Sequence, residues 1–175
     1  MIRFAPQVLK ILAAAAGVLS LSACASVHRL DAANDVHALL VSIRDDDQAT
    51  FDAHVDRQAL QGEIEQRLTQ RANTGGDDNL KVIGQLLAPT LAQIAGDSLI
   101  QPRVFRTVAE HYGYKAGQPL PGAFAIASSL KALDDGRVCA TRKKDGPCLL
   151  MFTQEQGTWR LSGFEGDVSE LRTKL

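Results

Sequence analysis

From Asn34 onward, apolar residues recur at helical spacing. Val36, Leu39, Leu40 and Ile43 fall at i, i+3, i+4 and i+7, which predicts a helix with Asn34 or Asp35 as its N-cap. Asp45-Asp46-Asp47 ends that helix or starts the next, because carboxylates favour caps and first turns. Phe51 and Val55 anchor a short second helix, and Asp56 reads as the cap of a third carrying Leu60, Ile64 and Leu68 on one face. Asn73-Thr74-Gly75-Gly76 is a break. The strongest periodicity follows. Leu80, Ile83, Leu87, Leu91 and Ile94, thickened by Leu86, form a stripe expected to be core, with Pro89 predicting a kink or a split into two helices. Pro102 suits a helix first turn, Val104, Phe105, Val108 and Ala109 give that helix its buried face, and Gly113 is its natural stop.

After Gly113 the period changes. Gly117, Pro119, Pro121 and Gly122 make a loop, and Phe124, Ile126, Ser128 and Leu130 then alternate with smaller residues as in a first strand. Asp134-Asp135-Gly136 turns into a second strand over 137–141, Asp145-Gly146-Pro147 into a third over 148–154, and Gln156-Gly157 into a fourth over 158–164. Short turns make successive strands antiparallel neighbours. The expected fold class is α+β, with N-terminal helices packed on one face of a C-terminal antiparallel meander of about four strands. Residues 35–175 are expected to form one domain, with helices over about 35–113 and strands over about 123–165.

The first 23 residues follow a different grammar. Arg3 and Lys10 precede the uncharged apolar run 11–21, which at 1.5 Å per residue is too short to cross a membrane and reads as an export signal. The run closes in Leu21-Ser22-Ala23-Cys24, which resembles the lipobox of bacterial lipoproteins. That resemblance implies cleavage before Cys24, a thioether lipid on its sulfur and an acyl chain, such as palmitate, on the new amino terminus. Two or more chains anchor stably where one does not. Residues 24–34 are then a lipidated anchor and a short tether, at most ~35 Å when extended. Ala25, in the place where an aspartate would retain a lipoprotein at the inner membrane, implies an outer-membrane protein facing the periplasm.

Composition narrows the function classes. A formal net charge of −1 and a pI of about 6.4 leave no basic field for nucleic acid. Cys139 and Cys148 are the cysteines left besides Cys24, an even number suited to an oxidising compartment. A two-residue Asp145-Gly146 turn would pair Cys148 with Lys143, so a Cys139–Cys148 bridge needs a wider loop; a disulfide and two inert thiols both remain open. His28, His37, His54 and His111 lack zinc-ligand spacing, so no metal or cofactor is expected. Gly-x-Ser-x-Gly and phosphate-loop patterns are missing from the sequence, which argues against an enzyme.

Three segments carry a family resemblance: Phe51 through Val55-Asp56 to Leu60, Leu99-Ile100-Gln101-Pro102 opening a helix, and Gly157-Thr158-Trp159-Arg160-Leu161 in the closing strand. Together they resemble the bacterial family called domain of unknown function 2939, over roughly residues 36–164. The resemblance implies a small envelope-associated α+β domain and transfers no catalytic residue. Two expectations follow. The first is a non-catalytic domain that binds an envelope protein or supports an assembly at the membrane. The alternative is a carrier or sensor of a small apolar ligand, in a pocket lined by Leu87, Leu91, Phe105, His111, Tyr112 and Trp159. An envelope hydrolase would need His111, Tyr112 and an acid such as Asp56 in one cleft.

Overall fold

The computed structural model describes residues 27–164 except 75–77, 112 and 144–145, and the side chains of 71–74, 78–85 and 95 are likewise outside it. The expected signal, Cys24, Tyr112, the Gly75-Gly76 break and the chain beyond Phe164 therefore lie outside the described residues.

Among the described residues, helices come first. Helix α1 covers 27–45. It is followed by α2 (Gln48–Ala53), α3 (Arg57–Thr74), α4 (Asp78–Leu99), α5 (Pro102–His111) and α6 (Ala123–Ser128). Strands β1 (Leu130–Ala132), β2 (Val138–Thr141), β3 (Cys148–Glu155) and β4 (Thr158–Phe164) then form one antiparallel sheet in sequential order. The expected α+β layout is the observed one.

Helix α1 starts earlier than its pattern suggests. It is already helical at Val27, and Ala32 and Ala33 are fully buried, so 27–34 packs as helix where a tether was expected. Neither Asn34 nor Asp35 is a cap. Asp35 Oδ2 instead accepts the Trp159 backbone N–H at 2.7 Å, and Asp31 Oδ2 accepts the Trp159 indole N–H at 2.9 Å. These two carboxylates fasten α1 to β4. The core lies between them and the sheet: Val36 and Leu39 of α1, Phe51 of α2, Leu60 of α3, Ile126 of α6, and Val138, Phe152 and Leu161 from the strands. Phe105 of α5 closes it edge-on against Phe51, with ring centroids 5.2 Å apart.

The two other caps read from sequence are present. Asp56 Oδ1 accepts from Ala59 N at 2.9 Å at the head of α3. Asp47 caps α2, accepting from Thr50 N at 3.1 Å and from the Thr50 hydroxyl at 2.6 Å. Those hydrogen bonds hold the Asp47 carboxyl below the usual carboxylate range. A depressed folded pKa contributes stability above the unfolded value of about 4, lost as pH falls through the folded one. Asp47→Ala is therefore expected to lower the urea midpoint at neutral pH, and the gap to wild type should close in titrations carried below about pH 4.

Two other elements depart from the sequence reading. Residues 123–128, expected as a strand, form α6: Ala123, Ile126 and Ala127 turn inward at i, i+3 and i+4, while Phe124 is 82% exposed. Pro89 does not split the long helix, since α4 runs unbroken through it.

The Cys139–Cys148 disulfide is present. A bulge between Ala140 and Thr141 sets Cys148 opposite Thr141 rather than Lys143, so the connection over 142–147 is the wider loop such a bridge requires. The β4 edge is closed by other parts of the chain. Val55 bridges Leu161 in parallel, Leu161 N donates to His54 O at 2.9 Å and Asp56 N to Leu161 O at 2.9 Å.

Candidate functional site

The closure of β4 continues onto α3 and there creates a cleft. Glu63 and Arg67 sit one helical turn apart, so both reach the same strand end. Glu63 Oε2 accepts from Phe164 N at 2.9 Å, and Arg67 donates both to Glu63 Oε1 at 2.7 Å and to the Phe164 carbonyl. The Arg67 guanidinium lies 4.4 Å from the centre of the Phe164 ring. Beneath them opens a depression of about 700 Å³, lined on the helix by Gly62, Gln66 and Gln70, on the strands by Met151 and Ser162, and by Arg137 just ahead of β2.

Its charged groups already have work in the fold. Arg137 pairs with Asp135 at 2.7 Å and holds that carboxyl below its usual range, while the Ser162 hydroxyl is hydrogen-bonded to Thr153 at 2.8 Å. No histidine or cysteine lines the cleft. It can offer amide and guanidinium hydrogen bonds to a polar chain.

The second feature is on α4. One side of this helix is a seam of small residues, Ala88, Ala92 and Gly96 at i, i+4 and i+8, all buried. At Gly96 the approach to α3 is close enough that an added Cβ would run into the Gln61 side chain. Gly96→Val is expected to destabilise by about 1–3 kcal/mol through this overpacking, measured by urea unfolding followed in the far ultraviolet.

The other side of α4 is uncovered. Leu86 is 73% exposed, Ile94 59%, and Leu87 and Leu91 49% each. The stripe expected to be core is, for these four residues, surface; the side chains of Leu80 and Ile83 lie outside the described residues. The physical reason is that α4 has two stripes, and the small one docks on α3 because it lets the backbones approach closely.

Among the described residues, which leave out Tyr112, the expected apolar pocket is not assembled. Trp159 is buried against α1, with His28 edge-on at 6.2 Å, and Phe105 is packed on Phe51. Leu87 and Leu91 face outward on α4, and His111 is exposed at the end of α5. Asp56 is committed to its cap, so the hydrolase constellation gains no support either. Sequence reasoning passed over Glu63, Arg67 and Gly62, whose roles depend on the return of β4 some hundred residues later; the one local signal was a glycine in mid-helix. Among the described residues, no group of three or more His, Cys, Asp or Glu is placed to hold a metal ion, and no helix is long and apolar enough to cross a membrane.

Fold and surface together define a small α+β domain with a polar cleft on one side of α3 and an exposed apolar helix face beyond it. Within that class the chain belongs to the family described as protein of unknown function (DUF2939), whose model matches residues 12–108. The match includes the Phe51–Leu60 and Leu99–Pro102 segments; the closing strand lies beyond it, and the matched span begins further toward the N-terminus than residue 36. No curated protein and no solved structure matches the chain.

Proposed function

We propose that this chain is a lipid-anchored lipoprotein of the bacterial envelope, facing the periplasm from the outer membrane, whose domain supports an assembly by protein contact and not by catalysis. The observation that carries the contact reading is the uncovered apolar side of α4, since monomeric proteins seldom leave a contiguous apolar patch of this kind without a use. The anchor reading is supported by Arg3, Lys10, the apolar run and Leu21-Ser22-Ala23-Cys24. Only Ala25 and Ser26 separate Cys24 from the first described turn of α1, so the lipid would be coupled almost directly to the folded domain.

The anchor is tested by metabolic labelling with a radioactive fatty acid in a bacterial host, comparing wild type with Cys24→Ala. Label and membrane association are expected for wild type and lost in the variant; an unlabelled wild-type protein in the soluble fraction would overturn the reading. Contact through α4, with no apolar pocket formed by Leu87, Leu91, Phe105, His111 and Trp159, also implies that the protein purified from its host gives a bare mass in native mass spectrometry. Extra mass of a few hundred daltons, lost on denaturation, would favour the ligand carrier instead.

A further inference from the structure

We infer that the domain stands on the bilayer on the tip of the β3–β4 hairpin, with the loop 142–147 at the opposite end; this rests on the anchor reading above and names the surface that meets lipid. The hairpin is the starting point. Strand β2 makes its last pair with β3 at Val138↔Phe152, while β3 and β4 continue together to Glu155↔Thr158 and close through Gln156 and Gly157. This two-stranded arm reaches beyond the rest of the sheet, and α1 begins against it. His28 lies edge-on to Trp159 at 6.2 Å, and Gln154 Nε2 donates to Asp31 Oδ2 at 3.2 Å, the same oxygen that takes the Trp159 indole N–H.

Distance then places the lipid. Three Cα–Cα steps separate Cys24 from Val27, so a lipidated Cys24 is at most ~11 Å from the head of α1. That reach brings the arm to the bilayer. It does not bring the loop 142–147 there, because β3 has 8 residues, which sets Cys148 ~23 Å from Glu155.

Two other stances are open to an anchored domain, and neither fits. Lying on α1 would need apolar and basic residues along its outer side, but between the first turn and Arg44 the exposed residues of α1 are Asp31 and Asn34. Resting on the loop would use Arg142 and Lys143, both exposed. Each such cation gains about 1 kcal/mol at an anionic surface, but the attraction fades within a Debye length of about 8–10 Å. From the far end of β3 that pull is screened out. The tip itself suits a phospholipid surface. Gln154, Gln156, Gly157 and Thr158 are uncharged, and Glu155 is paired with Arg160 at 3.4 Å. Val27, next to His28 and 66% exposed, adds apolar area there. The stance also assigns the flanks. Helix α3 leaves β4 at Leu161, whose carbonyl accepts from Asp56 N, and reaches Phe164 with Arg67, so it runs away from the tip. Helix α4, packed along it, then turns its uncovered side to a flank of the domain and not to the lipid.

The test uses the full-length chain in the membranes of a bacterial host grown with phosphorus-32 phosphate. The photo-crosslinker p-benzoylphenylalanine replaces Gln154 in one variant and Pro147 in another, both exposed and uncharged. A diacylglycerol thioether on Cys24 carries no phosphorus, so the label reports bilayer lipid alone. After irradiation, the chain substituted at position 154 is expected to hold about tenfold more label releasable by phospholipase C than the chain substituted at 147. Gln156, at the turn itself, supplies a second tip position if the Gln154 variant fails to fold. Membrane-bound chains with equal adducts from 154 and 147, with more from 147, or with none from either, overturn the stance and leave the anchor in place. Chains found in the soluble fraction without adduct overturn the anchor reading and the stance with it.

Discussion

Trp159→Ala is expected to destabilise the domain by about 3–5 kcal/mol, much of the 5–15 kcal/mol that holds a typical domain folded. Three losses coincide there. The side chain is 1% exposed, so its removal leaves a cavity between α1 and the sheet. Its indole N–H bond to Asp31 at 2.9 Å disappears. The backbone bond from Trp159 N to Asp35, at 2.7 Å, is left to hold α1 without the packing around it. Trp159→Phe keeps most of the bulk and loses the indole donor, so its cost should be smaller, because Asp31 is exposed enough to turn to water. Urea unfolding followed by circular dichroism should order the three proteins as wild type, then phenylalanine, then alanine. Equal midpoints for wild type and Trp159→Ala would refute the fastening of α1 to β4. Trp159 is also the one tryptophan in the chain, so wild-type fluorescence reports on this contact alone.

Removing the disulfide is the second large effect. Cys139 and Cys148 are nine residues apart in sequence, and a loop of that length contributes about 2–3 kcal/mol on the chain-entropy model. The double variant Cys139→Ala, Cys148→Ala should therefore unfold at clearly lower urea than the oxidised protein. Reductant should bring the wild type to the same midpoint and leave the variant unchanged. Because Cys139 is fully buried, reduction of the folded protein should be slow and should accelerate in urea, which time-resolved thiol labelling would show. A reduced wild type as stable as the oxidised one would mean that the loop is already ordered without its covalent tie.

The parts of this fold that were legible in the sequence are those whose cause is local. Pro102 and Gly113 bracket α5 because one fits a first turn and the other takes a positive φ, here +96°. Strand β4 keeps its expected bounds because Trp159 and Leu161 alternate with polar residues between clear turns. What could not be read is what each patterned face touches. Asp35 looks like a cap by itself and becomes an acceptor only once Trp159 arrives from the other end of the chain. The segment 123–128 alternates over too few residues to separate a strand from one turn and a half of helix, and its alanines let the helix win. On α4 the large residues drew attention as core, while Ala88, Ala92 and Gly96, with less apolar surface, settled which side is covered. The cleft, made by Glu63 and Arg67 meeting Phe164, had no local sign beyond the glycine at its wall.

The fastening of α1 to β4 has a consequence for the order of events when the chain is delivered N-terminus first, as in synthesis. Asp31 and Trp159 are 128 positions apart, Asp35 and Trp159 124, and Arg67 and Phe164 97. The early partners of these bonds, the Asp31 and Asp35 carboxylates and the Arg67 guanidinium, and the apolar surfaces of α1 and α3 around them, must wait for β4 to emerge. The nascent chain therefore stays unclosed until almost its full length is available, and it then closes from its two ends at once.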